Sequence, residues 1–248
     1  MPSRQTRTSL RFHDIHVPLL IIEESRKDAR VSLGQSAAYL RIPYTAPREF
    51  KQEKLVWAKK WLLEILQEKP GLAERWRNKE YHSGMVIKTA LKSYVLDLST
   101  NQNRSTGTAK VDGNDLILRL PRLDAGEYYT RDDIASLISR GIAADLLPEF
   151  SERVHAYNRA FYRETIASIR LKYTHSRWGS CAFNGNLNFS TKILLAPEHI
   201  MDHIIIHELA HLKELNHSDR FWKWVEKADP QYKRHAKWLS VHGDKLDF

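Results

Sequence analysis

The sequence predicts an α+β fold in which a β-rich N-terminal lobe precedes a domain of helices packed on a small antiparallel sheet. Short β-branched and aliphatic runs alternate with polar turns between residues 17 and 120, which is typical of strands. From residue 131 onward, longer segments repeat apolar residues near the 3.6-residue period of a helix. We therefore predict a boundary near residue 126, which separates an N-terminal lobe (1–126) from a C-terminal domain (127–248).

The N-terminal lobe begins with short predicted strands. The arginine-rich start at residues 1–12 lacks the apolar stretch of a secretory signal, and we expect it to be a disordered tail. Residues 17–22, 29–33 and 37–42 are aliphatic runs separated by charged or glycine-containing turns. This pattern predicts a small antiparallel meander.

One amphipathic helix and two more strands complete the predicted lobe. Residues 53–67 place tryptophans and aliphatic residues close to a helical period, and Pro70 with Gly71 ends the segment. Residues 85–98 and 108–120 have the composition of strands and are joined by a polar segment.

The C-terminal domain begins with predicted helices. Residues 132–146 and 149–166 have helical periodicity, with Pro148 between them. Because proline interrupts a helix interior, we predict two separate helices.

A hairpin and a further helix follow. Asn184-Gly185 lies between two strand-like runs and favours a tight turn in which both residues have positive φ. Pro197 suits the first turn of a helix, and Glu198 suits its positive end, which predicts a helix over residues 197–213.

The composition describes an ordinary globular chain. Hydrophobic residues make up 42% and charged residues 28% of the chain, which is the balance of a folded protein. No apolar run approaches the roughly 20 residues of a bilayer crossing, so we expect no membrane partner. Cys181 is the single cysteine, which excludes an internal disulfide framework and a cysteine-based zinc cage. We interpret it as a buried thiol in a reducing, cytoplasmic protein.

The net charge of +9 is spread along the chain. Residues 151–248 contribute +4 and residues 1–150 contribute +5. Dedicated nucleic-acid-binding proteins usually concentrate their basic residues on one face or tail. The even spread favours solvated surface charge, and nucleic acid stays open as a partner.

The stretch HELAH at residues 207–211 carries the clearest chemistry. On a helix, His207 and His211 lie one turn apart on the same face, so both imidazoles can bind one ion. Zinc accepts imidazole nitrogens at about 2.0 to 2.1 Å. Glu208 lies about 100° round the helix, where its carboxylate can take a proton from water that the ion has acidified. This is the zincin pattern.

A catalytic zinc site needs a third protein ligand. His217 follows His211 by the spacing that metzincins use, and Glu226 is the alternative. Asn216 tolerates left-handed geometry and is expected to end the helix and turn His217 back. Ser218 is then expected to cap a further helix, and we favour His217 as the ligand.

Two more histidines precede this pair at helical spacing. His199 and His203 continue the i, i+4 row of His207 and His211. His203 lies two turns from His211, so the two cannot share one ion. We expect His199 and His203 to be surface groups or to lie behind the ligands.

Five blocks of sequence occur in a distinctive order, namely RWGSC (177–181), GNLNFS (185–190), LLAP (194–197), HELAH (207–211) and NHSDRFW (216–222). Together they resemble the YgjP-like zinc metallopeptidases, which are related to the SprT-like and WLM proteases. The close match covers residues 150–245, and the segment 81–120 matches least.

The resemblance implies a zincin-like core and assigns roles to four residues. His207, His211 and His217 correspond to zinc ligands, and Glu208 corresponds to the catalytic base. These roles agree with the spacing argument.

Further residues are candidates for substrate or transition-state contacts. The predicted hairpin offers an edge strand for an extended peptide, with Asn188 on its polar face. Arg177 is a candidate for holding a carboxylate or orienting a ligand, and a structural ion pair is the equal alternative. Trp178 and Gly179 are instead expected to serve packing and a close backbone approach. The developing oxyanion needs a further donor, for which Tyr232 and His235 are the candidates.

The predicted function is a peptidase that holds one zinc ion and hydrolyses peptide or protein substrates. Two alternatives stay open. SprT-like and WLM relatives act on proteins crosslinked to DNA, so one alternative is a DNA-associated protease or a nucleic-acid-binding zinc protein. The other is a zinc-binding scaffold without turnover, against which the intact Glu208 argues.

Overall fold

The computed structural model describes residues 4–34, 37–76, 81–101, 106–121, 129, 131–174 and 176–248. Helices and strands both run through this described part of the chain, so the predicted α+β class is confirmed. The strands are β1 (Arg4–Phe12), β2 (Ile15–Glu24), β3 (Arg30–Leu33), β4 (Ala38–Pro43), β5 (Val86–Lys88), β6 (Ser93–Asn101), β7 (Thr108–Asp112), β8 (Asp115–Pro121), β9 (Ser168–Lys172), β10 (Gly179–Cys181) and β11 (Asn186–Ser190). The α-helices are α1 (Arg48–Glu68), α2 (Arg131–Tyr157), α3 (Glu198–Ala210), α4 (Asp219–Ala228) and α5 (Tyr232–His242).

Contacts group the chain into two compact units. The first unit is Met1–Glu80 with Leu123–Ile134, and the second is Tyr81–Arg122 with Ala135–Phe248. The boundary near residue 126 lies outside the described residues. It stays a prediction, because a grouping by contacts does not test which segments fold by themselves.

The sheet of the first unit has the order β1-β2-β4-β3. The predicted antiparallel meander is therefore wrong, since β2 and β4 pair in parallel with Leu19 opposite Ala38. Leu40 and Ile42 of β4 are buried, whereas β3 has no buried residue. This difference in hydrophobicity puts β4 inside the sheet and β3 at its edge.

The arginine-rich start is a strand and not the tail that we expected. β1 pairs antiparallel with β2 over residues 4–12, and Phe12 at its end is buried. The amphipathic α1 packs Ala58, Leu62 and Leu66 into the same core. Pairing with an interior strand therefore orders a segment whose composition is typical of a tail.

The four-stranded sheet of the second unit has the order β5-β6-β8-β7, with β6 and β8 parallel. α2 approaches this sheet closely at Gly141. A Cβ atom at that position would lie 2.6 Å from Cδ1 of Leu116 on β8.

α2 also runs unbroken through Pro148, so the predicted break is wrong. Leu146, Phe150 and Val154 are buried around the proline. Burial of each such side chain stabilises by about 1.5 to 3 kcal/mol. Together these side chains exceed the roughly 3 kcal/mol that an interior proline costs.

A three-stranded sheet carries the segment before α3, in the order β10-β11-β9. We predicted an antiparallel sheet, but β11 pairs antiparallel with β10 and parallel with β9. β11 is central because Leu187 and Phe189 are buried. The chain after β9 therefore passes to the opposite side of β11 before it forms β10.

The turn between β10 and β11 also differs in detail from the prediction. Gly185 has a φ of 79°, but Asn184 does not have a positive φ. The Gly185 N–H donates to the carbonyl of Ala182 at 2.9 Å, and the Ala182 N–H donates to that of Asn186 at 2.9 Å. This longer loop needs left-handed geometry only at the glycine.

Candidate metal centre

α3 holds the HELAH stretch on a rigid, buried element. Met201, Ile205 and Leu209 are fully buried, which fixes the rotation of the helix about its axis. The helix ends at Ala210, earlier than the predicted residue 213, and His211 is its C-cap residue. His207 and His211 therefore stand on one face at the end of a well-packed helix.

The three predicted imidazoles converge. Ring centroids lie 5.0 Å apart for His207 and His211, and 5.1 Å apart for His207 and His217. The third separation, between His211 and His217, is 4.8 Å. One nitrogen from each ring lies within 4.8 Å of the others.

This arrangement fits a metal ion. The Nε2 atoms of His207 and His217 are 3.1 Å apart. Two nitrogens bound at about 2.0 to 2.1 Å in a tetrahedral site lie about 3.3 Å from each other. Three neutral nitrogens at this spacing are a donor set for a divalent transition metal, and Glu226 on α4 is exposed and outside the cluster.

The turn after α3 brings His217 to the pair. The N–H groups of Lys213 and Glu214 both donate to the carbonyl of Ala210 at 3.0 Å. Asn216 does not adopt the left-handed conformation that we expected. Its side-chain oxygen instead accepts a hydrogen bond from the Ser218 N–H at 3.0 Å, which closes the turn before α4.

Ser218 occupies the predicted cap position of α4 but makes no side-chain cap bond. α4 buries Phe221 and Val225 as expected. The ring of Phe221 contacts all three imidazoles of the cluster, at centroid distances of 4.5 to 5.0 Å. The aromatic side of α4 therefore backs the cluster.

A hydrogen bond sets the tautomer of His211. Its Nδ1 lies 3.1 Å from the carbonyl oxygen of Glu214. Because a carbonyl only accepts, Nδ1 carries the proton and Nε2 presents its lone pair. Burial and, to a smaller extent, the neighbouring imidazoles together lower the pKa of His207 to about 3. Both rings are thus held in the neutral form that binds metals.

Glu208 is buried against the backbone of β10. Its side chain is so close to Gly179 that a Cβ atom there would lie 2.5 Å from Oε1. The close backbone approach predicted for Gly179 is therefore confirmed. Burial raises the pKa of Glu208 to about 8. Oε2 is buried and takes no hydrogen bond from the described residues.

Comparison with known proteins agrees with this geometry. The family described as "YgjP-like, metallopeptidase domain" matches residues 27–242 of the chain. The chain belongs to the YgjP-like family. The resemblance drawn from the sequence blocks is therefore confirmed. As a member of a metallopeptidase family, the chain is a hydrolase of peptide or protein substrates that uses a divalent metal.

A solved structure and the curated proteins were also compared with the chain. The crystal structure of the metallopeptidase zymogen of Pyrococcus abyssi abylysin matches at 24% sequence identity with a TM-score of 0.35. That match covers 37% of this chain and 93% of the abylysin chain. No curated protein matches the chain. None of the helices in the described ranges combines the length and hydrophobicity that a bilayer crossing requires.

The other candidate residues of the YgjP-like domain lie at two places. Arg177 and Asn188 line a 300 Å³ pocket that also contains Gly179. Asn188 donates from Nδ2 to Ser180 Oγ at 3.5 Å, while its Oδ1 is buried without a partner among the described residues. The face of β10 and β11 that carries Ser180 and Asn188 is thus polar, as the sequence predicted, and Glu208 lies against Gly179 on the opposite face.

Tyr232 and His235 both lie on α5. The ring of Tyr232 stacks on Trp222 at 5.2 Å, and Trp222 lies 5.8 Å from the ring of His217. His235 instead contacts His199 and His203, at centroid distances of 5.2 and 5.8 Å.

Cys181 of the YgjP-like domain is a free, half-buried thiol. Burial and, to a smaller extent, the charge of Glu208 together raise its pKa to about 11. We expected a buried thiol, and the structure has it half-buried; a thiol that stays protonated is in any case a poor metal ligand.

A second polar cluster contains one residue, Asp229, to which the sequence did not point. Asp229, which follows α4, is buried and accepts hydrogen bonds from His203 and His235. His203 was expected behind the ligands or at the surface, and it is buried. The i, i+4 row of histidines was visible in the sequence, but Asp229 lies 26 residues from His203 and no local pattern joins them.

Proposed function

We propose that this YgjP-like protein is a zinc-dependent peptidase, in which His207, His211 and His217 bind one catalytic zinc ion and Glu208 is the general base. The observation that carries the proposal is the convergence of three imidazole nitrogens within 4.8 Å of one another, beside a buried carboxylate. Three neutral nitrogen ligands and an open fourth position are the pattern of catalytic zinc.

Zinc in such a site supplies Lewis acidity, which polarises a scissile carbonyl and makes water easier to deprotonate. Glu208 accepts the proton of the attacking water and passes it to the leaving amine. Its buried Oε2 has no partner among the described residues and is the atom we assign to this transfer. Burial raises the pKa of Glu208 to about 8, so the carboxyl can both take and release a proton near neutral pH.

The peptide substrate is proposed to lie extended beside β10. Among the strands that the structure describes, β10 pairs with β11 alone, which leaves its other edge to bind a peptide backbone. β10 contacts α3 through Gly179 and Glu208, so a peptide at that edge passes next to the general base. We assign Arg177 and Asn188 to substrate contacts in the 300 Å³ pocket.

A second cavity of 480 Å³ lies at the turn of the hairpin and is lined by residues 182–185 and by His211. Phe183 and Leu215 line it and are exposed, at 92% and 57%. We propose that it receives an apolar substrate side chain, because burial of these two side chains would contribute to binding.

Tyr232 is the proposed donor to the developing oxyanion. Its ring stacks on Trp222, which itself contacts His207 and His217. His235, the other candidate, has its Nδ1 bonded to Asp229 and is in contact with His203, one turn before the ligands.

The decisive experiment replaces Glu208 by glutamine. Glu208→Gln removes the base but no ligand, so we expect full zinc content with turnover of a peptide library reduced by about 10² to 10⁴-fold. The matched control is Glu226→Gln, which changes an exposed glutamate on α4 and should leave both quantities unchanged.

Either of two results would contradict the proposal. If Glu208→Gln turned over peptides at the wild-type rate, Glu208 would not be the base. If wild-type protein bound zinc with no cleavage of any library peptide, the chain would be a zinc scaffold without turnover.

A further inference from the structure

A second group of potential ligands lies one helical turn before the proposed zinc site. His203 belongs to α3, Asp229 follows the last residue of α4, and His235 belongs to α5. Side-chain exposure is 4% for His203, 6% for Asp229 and 13% for His235. The group is therefore an interior cluster that joins three helices.

The ligand atoms of this group are close together. Nδ1 of His203 lies 2.8 Å from Oδ2 of Asp229, and Nδ1 of His235 lies 3.0 Å from the same oxygen. All three ligand atoms lie within 4.8 Å of one another. Ligands at right angles and about 2.1 Å from an ion are about 3 Å apart, which is the spacing of the two His–Asp pairs.

The charge of Asp229 favours a cation in this cluster. A buried carboxylate is costly unless a positive charge compensates it. Within the described ranges, the ion-pair partners of Asp229 are the two imidazoles, and neither lysine nor arginine reaches it. Asp229 also terminates α4, where the helix dipole is negative and adds to the cost.

We propose that His203, Asp229 and His235 form a second divalent-cation site, distinct from the proposed catalytic one. Two imidazoles with one carboxylate are a common donor set for zinc, iron and other divalent transition metals. The ring of His199 lies 5.2 Å from that of His235 and is exposed, so its side chain can turn to supply a fourth nitrogen.

The second ion has a structural role. The two groups have no residue in common, and the rings of His203 and His207, where they come near each other, have centroids 6.4 Å apart. In two-metal catalytic sites the ions lie about 3.5 to 4 Å apart and act together on the substrate. The two groups here have separate ligands, so we assign the second ion a structural role. An ion at Asp229 would instead fix the end of α4 and the start of α5 against the helix that carries His207.

The number of ions per chain tests the proposal without any measurement of activity. Full-length protein is stripped with a chelator, dialysed against Zn²⁺ or Co²⁺, and analysed for metal by mass spectrometry. We expect two ions in the wild type, one in Asp229→Asn, one in His217→Ala and none in the double variant. The control Asp219→Asn changes an exposed acid at the other end of α4 and should keep two ions.

The proposal would be overturned if the wild type held one ion and Asp229→Asn held the same ion. His203, Asp229 and His235 would then be joined by hydrogen bonds alone. Should Asp229→Asn fail to fold, His235→Gln on α5 gives the same comparison, with one ion expected. The wild-type count needs no variant. Failure of the peptidase proposal would give a different result. The protein would hold an ion at His207, His211 and His217 but would not cleave peptides.

Discussion

Gly179 has no side chain, and the carboxylate of Glu208 occupies the space that a side chain would fill. A Cβ atom at this position would lie 2.5 Å from Oε1 and 2.6 Å from Cγ of Glu208. Real carbon atoms do not approach so closely, so a larger residue must displace the carboxylate. Because the carboxylate is the free end of a flexible side chain, it can move, and the effect will be on chemistry more than on folding.

We therefore predict that Gly179→Ala keeps its metal but loses activity. A displacement of about 1 Å in a catalytic group costs up to about 10²-fold in rate. Peptide turnover and metal content should be measured together. Gly71→Ala is the matched control, because its added Cβ meets no atom within 4 Å. Wild-type turnover in Gly179→Ala would show that the position of Glu208 does not limit the reaction.

Tyr232 allows a second test at the scale of one atom. Tyr232→Phe removes only the hydroxyl and keeps the stacking on Trp222 at 5.2 Å. Loss of one oxyanion donor lowers kcat by about 10² to 10³-fold, and KM should change little because the contact forms in the transition state. If His235→Gln had this effect and Tyr232→Phe did not, the donor would be His235.

At the scale of elements, β6 and α2 are joined by a polar contact inside the second unit. The hydroxyl of the fully buried Tyr94 donates to Asp145 at 2.7 Å, and Lys92 Nζ donates to the same oxygen at 2.8 Å. Burial tends to raise the pKa of Asp145, but these hydrogen bonds and the charge of Lys92 outweigh it and hold the pKa below its ordinary value.

We predict that Asp145→Asn destabilises the fold in a pH-dependent way. A carboxylate with a lowered pKa stabilises the folded state fully above its unfolded pKa of about 4, and this stabilisation is lost as pH falls through the folded pKa. The variant should lose about 1 to 2 kcal/mol at pH 7, and the difference from wild type should shrink below pH 4. Denaturant titrations at pH 7 and pH 3 measure it. A difference that stayed constant with pH would mean that the charge of Asp145 is not involved.

Helices α1 and α3 could be predicted from the sequence because their evidence is local. The period of residues 53–67 gave α1, and the four-residue spacing of HELAH gave the ligand face of α3. Strand order could not be predicted in this way. The pairing of β9 with β11 depends on which strand buries Leu187 and Phe189, and that is decided by packing between distant segments.

The same distinction applies to the candidate site. His207, His211 and His217 lie within one helix and the turn that follows it, so spacing was enough to group them. Asp229 and Gly179 gain their importance from contacts across the fold, with His203 and Glu208 respectively. For Gly179 the sequence suggested only a close backbone approach, and for Asp229 it gave no indication.

At the scale of the whole molecule, metal binding and folding should be coupled. The proposed ligands come from α3 and from the turn before α4, and the second cluster adds α5. These segments are brought together only in the folded chain, so an ion binds the folded state in preference to the unfolded one. The metal therefore acts as a ligand that raises stability by mass action.

We predict that chelation lowers the unfolding temperature of the wild-type protein. An ion present at about 100 times its Kd contributes about 2.7 kcal/mol to the free energy of unfolding. For a chain of this size, each kcal/mol shifts Tm by about 2 to 4 °C. Calorimetry with loaded protein, with chelator, and with zinc restored should show a fall and a full recovery. Glu208→Gln keeps every ligand and should respond as the wild type does, because the coupling depends on the ligands and not on turnover. Equal Tm values for loaded and stripped protein would mean that the ion has no preference for the folded state, and the imidazole cluster would then not be a metal site.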